Sequence, residues 1–166
     1  MATRSGWVAG TAALLVAAQA WAVKPLDTAE KHLAMVRVGI MGAENNAKAL
    51  YTLAARPTTY ATSHAQMMVK NMSDGIDQAM GHLNELPPLA IGRYDKANRP
   101  LNDTRSYLDD ARTLLGQMRS TANAMDNPRQ VRDWTTRLWK DLQHARQSFK
   151  DTAGAFGEPA GFQTPG

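Results

Sequence analysis

Apolar residues recur through this chain at alternating intervals of four and three, and that spacing restricts the fold more than any other feature. Ala29, Leu33, Val36, Ile40, Ala43, Ala47, Leu50 and Ala54 form one unbroken series. Such a series places one narrow apolar stripe along an α-helix, the seam of a bundle helix. A second runs Ala61, Ala65, Met68, Met72, Gly75/Ile76, Ala79, Leu83, Leu86. A third runs Leu101, Thr104, Leu108, Ala111, Leu115, Met118, Ala122, Met125, and a fourth Val131, Trp134/Thr135, Leu138, Leu142, Ala145, Phe149, Thr152. No alternating run of Val, Ile, Thr or aromatic residues lies between turn signals, so no strand is expected.

Punctuation bounds the helices at about 27–54, 59–86, 100–125 and 128–153. Asp27, with Glu30 three residues on, reads as an N-cap and capping box. Arg56-Pro57 and Pro87-Pro88 end the first two helices, because proline lacks the amide donor and clashes with the preceding turn. Tyr94 and Ala97 extend the third register backward, which suggests a short helix over 89–98 with a break or kink at Pro100. Asn127 is an N-cap followed by Pro128 at the first helical position. Four amphipathic helices on short connections predict an all-α, antiparallel up-down-up-down four-helix bundle.

The bundle is expected to occupy residues 23–156. Before it, Arg4, an apolar run over residues 10–20 and the small-x-small pattern Ala20-Trp21-Ala22 read as a cleaved signal peptide, residues 1–22. That run is shorter than the ~20 residues of a membrane span. The processed chain is therefore expected in the periplasm, or secreted, with no membrane segment after cleavage. Residues 157–166 read as a flexible Gly/Pro-rich tail.

The sequence has no cysteine, which closes off a lipoprotein anchor, disulfides, thiolate metal sites and cysteine nucleophiles. The net charge is +4, about +3 once Arg4 is removed with the leader. The basic residues are scattered, without runs or interleaved aromatics, so they read as solvated helix faces and no nucleic-acid footprint is expected. No G-x-S-x-G, H-E-x-x-H, phosphate loop or G-x-G-x-x-G occurs, and the expectation is a protein that binds rather than catalyses. Asp109-Asp110 reads as a pair of solvated carboxylates beside the third seam.

The strongest chemical bias lies in the second helix: His64, Met67, Met68, Met72, Met80 and His82. Thioethers and imidazoles select Cu(I), and imidazole also suits Cu(II). His64, Met68 and Met72 stand at i, i+4 and i+8, along one side of a helix, and are the candidate ligands for copper or another soft metal. Against this, Met68 and Met72 also fall on the seam, where methionine fills core space. Met67 and Met80 fall on opposite flanks, so the six cannot meet at one ion. A second class of function is a periplasmic interaction, sensor or chaperone-like protein without cofactor. Trp139 lies about 80° from the fourth seam, beside Arg137 and Lys140, and is the candidate surface for a protein partner.

A third reading is haem. The layout resembles that of the four-helix b-type cytochromes, which ligate haem through a methionine on the first helix and a histidine on the last. The resemblance implies Met35 and His144, expected near one end of the bundle. The helical wheel opposes it: His144 lies about 140° from its seam, toward solvent. Di-iron chemistry lacks its Glu-x-x-His pairs. Small residues on the first two seams allow either close helix axes or room for a ligand between helices, and the sequence leaves both open.

Overall fold

A computed structural model describes residues 25–86, 94–121 and 123–157. The leader, much of the 89–98 segment, Ala122 and the tail from residue 158 lie outside these. Four helices make up the described chain: α1 (Pro25–Ala54), α2 (Thr62–Asn84), α3 (Tyr94–Ser120) and α4 (Pro128–Ala155). Each packs on its two neighbours in the order α1–α2–α3–α4–α1, closing a ring around one core.

Cross-helix pairs fix the directions. His32 meets His82 and Gly39 meets Gly75, so α1 and α2 run antiparallel. Arg105 with Asn84 and Arg112 with Asp77 set α3 against α2. Tyr107 with His144 sets α4 against α3. Glu44 with Arg146 and Tyr51 with Trp139 set α4 against α1. The protein is thus an all-α, up-down-up-down four-helix bundle, and among the described residues there is no strand. No helix of the described residues is long and apolar enough to cross a membrane.

The core follows the seams closely. Ala29, Leu33, Val36, Ile40, Ala43, Ala47, Leu50 and Ala54 are all buried on α1. Leu108, Leu115 and Met118 on α3 and Leu138, Leu142 and Phe149 on α4 are among the largest fully buried side chains. On α2 the stripe departs from expectation in one turn. Val69 is buried where Met68 was expected, and Met68 sits half-buried at the edge. Trp134 is likewise half-buried, with Thr135 taking the interior place and returning its hydroxyl to the Val131 carbonyl at 2.7 Å.

Several helix boundaries differ from the sequence reading. Asp27 lies inside α1 rather than at its N-cap, since the described helix already runs from Pro25. Helix α2 begins at Thr62 rather than near residue 59, because Pro57–Thr59 forms a separate 3-10 turn and Tyr60 is extended. Helix α3 begins at Tyr94 rather than at Pro100 and runs through the proline. The one amide that Pro100 lacks costs α3 a single internal bond, and Thr104 Oγ donates to the Pro100 carbonyl at 2.7 Å. At the other end, α3 stops at Ser120, and Asn123 adopts a left-handed φ of 56° before the 3-10 turn Ala124–Asp126. Asn127 then caps α4, its side chain accepting from the Arg129 and Gln130 amides. The α1–α2 and α3–α4 connections lie at the same end. Tyr60 Oη donates to the Met125 carbonyl and Thr62 Oγ to Asp126, tying the two together.

Candidate functional site

The α1–α2 pair approaches at Gly39 and Gly75. A Cβ on Gly39 would drive into the Gly75 carbonyl oxygen and stand 2.9 Å from Ala79 Cβ. A Cβ on Gly75 would stand 3.0 Å from the Gly39 carbonyl oxygen. Small residues here bring two backbones together, as only glycine allows at such a crossing. The alternative, a ligand space between the helices at this level, does not hold.

A groove opens instead on the outside of this pair, near its connection. It has a volume of about 470 Å³ and is lined by Asn45, Lys48, Ala49, Thr52, Leu53, Arg56, Thr59 and Met68. The helical repeat explains the lining. Asn45, Lys48, Ala49, Thr52, Leu53 and Arg56 follow one another at intervals of three, one, three, one and three, one flank of α1 continued past its end. Leu53 and Met68 pack against the core from their half-buried positions and give the groove an apolar floor. Lys48 and Arg56 are exposed cations, and neither takes part in an ion pair among the described residues. The lining contains no carboxylate. Thr52 and Thr59 spend their hydroxyl protons on the Lys48 and Arg56 carbonyls, which leaves their oxygens as acceptors. The groove therefore offers an apolar surface between two unneutralised cations, which favours an anion with an apolar body.

A second polar feature is buried between α1 and α4. Glu44 is 9% exposed. Arg146 Nη1 donates to its Oε2 at 3.2 Å, while Oε1 is buried with no hydrogen-bond partner among the described residues. Burial pushes the Glu44 carboxyl above its ordinary range, against the pull of Arg146 and Lys150. On the opposite side, burial and the facing Asp110 raise Asp141, against His144 and Lys140.

The sequence-predicted ligands spread out. His64 is exposed, Met68 is half-buried in the groove floor, and Met72 is fully buried in the core. Met67 is 53% exposed and Met80 packs against the core edge. Among the described residues no three His, Asp or Glu side chains converge where they could hold a metal ion. Met35 and His144, the pair of the haem resemblance, do not share a level. Glu44–Arg146 and Tyr51–Trp139 place His144 opposite residue 46. Met35 is eleven residues away from that level, about 16 Å along α1. His144 is exposed and lies against the Tyr107 ring, centroids 5.0 Å apart. Trp139 is half-buried, packed on the core and against Tyr51, rather than standing free as a docking residue. Asp109 and Asp110 are exposed, as solvated carboxylates should be.

Comparison with known proteins adds one partial likeness. No family model matches the chain, and no solved structure matches it. Over 82 residues it is 35% identical to the C4-dicarboxylate transport sensor protein DctB of Pseudomonas aeruginosa. The aligned stretch is 49% of this chain and 13% of DctB. The chain is thus similar to a small part of a sensor protein, and the match spans 13% of that protein's length.

Two groups escaped the sequence reading. His32 stands one residue before the seam residue Leu33, as His82 stands before Leu83, and that shared offset marks both as flanking the α1–α2 contact. Lys48 on α1 and Arg56 just past its end stand eight residues apart, a spacing easily passed over among scattered basic residues.

Proposed function

We propose that this chain is a non-enzymatic, exported helical binding module of the sensor type, which receives a short organic dianion in the groove between Lys48 and Arg56. The single observation that carries the reading is two unpaired cations over an apolar floor, in a groove of about 470 Å³ with no carboxylate in its lining. Lys48 lies near the end of α1, and Arg56, eight positions on, lies just past it. Long side chains from those positions reach both ends of a four-carbon dicarboxylate while its methylenes lie on Leu53 and Met68. The partial likeness to a C4-dicarboxylate transport sensor protein supports both the sensor role and this ligand class. The leader-like N-terminus supports the periplasm as its place, and a sensor role implies a protein partner to receive the signal.

Titration of the processed chain with succinate, followed by calorimetry, tests the reading. Saturable binding is expected, together with its loss in Lys48→Glu/Arg56→Glu and much weaker binding of butyrate, which has one carboxylate. Absence of succinate binding, or binding indifferent to the double substitution, would overturn it.

A further inference from the structure

We infer that His32 and His82 form a two-histidine clamp for a divalent transition metal ion on the flank of the α1–α2 pair. The inference is independent of the anion groove. The two imidazoles meet through their Nδ1 atoms, 3.0 Å apart, with ring centroids at 5.1 Å and planes tilted by 58°. Both rings are part-buried. In the metal-free protein one ring donates its Nδ1–H to the lone pair of the other. When both rings carry their proton on Nε2, both Nδ1 atoms offer a lone pair, and an ion set to one side of the line between them, about 2 Å from each, takes both.

The backbone holds this geometry in place. His32 is seven residues before Gly39, and His82 is seven residues after Gly75. Both therefore lie two helical turns, about 10 Å, from the glycine crossing and on the same side of it. The close approach of the two backbones at that crossing keeps the helices near enough for short imidazole side chains to touch.

The spacing is that of two neighbouring ligands on one ion. With metal–nitrogen bonds of about 2.0–2.1 Å, cis ligands of a square-planar centre lie about 2.9 Å apart and those of a tetrahedral centre about 3.3 Å. The observed 3.0 Å lies near both values, and the preference for Cu(II) follows from the general rise of imidazole affinity to Cu(II) along the divalent series. No third His, Asp or Glu joins the pair among the described residues, so the remaining positions are left to solvent or to an exogenous ligand.

The processed full chain is titrated with Cu(II), Ni(II) and Zn(II) at neutral pH in a non-coordinating buffer, with copper paramagnetic resonance on the bound form. One Cu(II) per chain is expected, with hyperfine structure from two imidazole nitrogens and affinity in the order Cu(II), Ni(II), Zn(II). His32→Ala and His82→Ala should each weaken Cu(II) binding by about tenfold or more, while His64→Ala and His144→Ala leave it unchanged. Circular dichroism checks folding. If an alanine variant does not fold, His32→Gln and the resonance spectrum of the unmodified chain decide. No Cu(II) binding, a spectrum lacking two imidazoles, or binding that survives loss of both histidines would overturn the clamp. Binding lost in His64→Ala but kept in His32→Ala would also overturn it, in favour of His64, Met68 and Met72.

Discussion

The α1–α2 pair and the α3–α4 pair are both antiparallel, yet they close by different chemistry. The first brings backbones together at Gly39 and Gly75, where Ala43 and Ala79 flank the crossing, and larger side chains such as Ile40, Leu50, Met72 and Ile76 fill the core beyond it. The second has no such glycine crossing among the described residues and closes through side chains alone, with Leu108, Leu115, Leu138, Leu142 and Phe149 fully buried. Where large side chains fill an interface, they stabilise it by surface removed from water, at about 25 cal/mol per Å². Where glycines touch, the interface gains proximity instead, and residues on its flanks are brought within reach of one another. His32 with His82 on one flank and the Lys48–Arg56 groove on another are what that proximity leaves accessible.

The largest effects should come from charge placed in either half of the core. Ile40→Asp and Leu115→Asp each put an unpaired carboxylate at a fully buried position, at a cost of several kcal/mol. Both variants should be unfolded by circular dichroism, and a folded variant at either site would show that the seam there does not face inward. Leu142→Ala probes the half closed by side chains alone, with an expected loss of about 2–5 kcal/mol in chemical denaturation.

The glycine-lined half should answer to a much smaller change. Gly39→Ala adds one methyl group against a backbone carbonyl and should lower stability by about 1–3 kcal/mol, as overpacking does. Gly42→Ala, three residues on in the same helix, meets nothing within 4 Å and should raise stability by about 0.5–1 kcal/mol through helix propensity. Opposite signs for these two substitutions would sharpen the contrast between the halves. Equal signs would remove the backbone contact from it.

The smallest effect is a change of slope with pH. The folded-state pKa of Glu44 lies above its ordinary 4.5, with burial the leading cause. Its contribution to stability is therefore complete below pH 4.5 and declines as pH rises through the folded-state value. Glu44→Gln lacks this decline. The stability of the wild type relative to Glu44→Gln should fall over that interval, measured by denaturation at several pH values. A relative stability that rises there would mean that Arg146 and Lys150 outweigh desolvation.

The seams of α1, α3 and α4 were legible because burial on a bundle helix follows one periodic stripe, and that period is written in the sequence. Asn127-Pro128 was legible for a similar reason, since capping is a local bargain between side chain and backbone. The start of α3 was not, because one lost amide bond at Pro100 weighs less than the packing of a whole helix. The choice of Val69 over Met68 was not either. The two are adjacent at the seam edge, and the helix rotation that decides between them depends on partners. Glu44 is buried beside Ala43 only because Arg146 arrives from α4, a contact across 102 residues that no local pattern carries. The sites suffered most. Spacing within one helix put His64, Met68 and Met72 on one side, but the neighbouring helices give them three different depths. The histidine pair and the groove draw on two elements each.

The account holds that the α1–α2 interior is closed and that its ligand chemistry lies on the outside. Amide chemical shifts of the labelled chain during titration with succinate test this most directly. The account predicts perturbations gathered at Asn45, Lys48, Ala49, Thr52, Leu53, Arg56 and Met68, with Ile40, Ala43, Ile76 and Ala79 unmoved. Shifts centred on those four inward residues would contradict it, because they would place the ligand between the two helices.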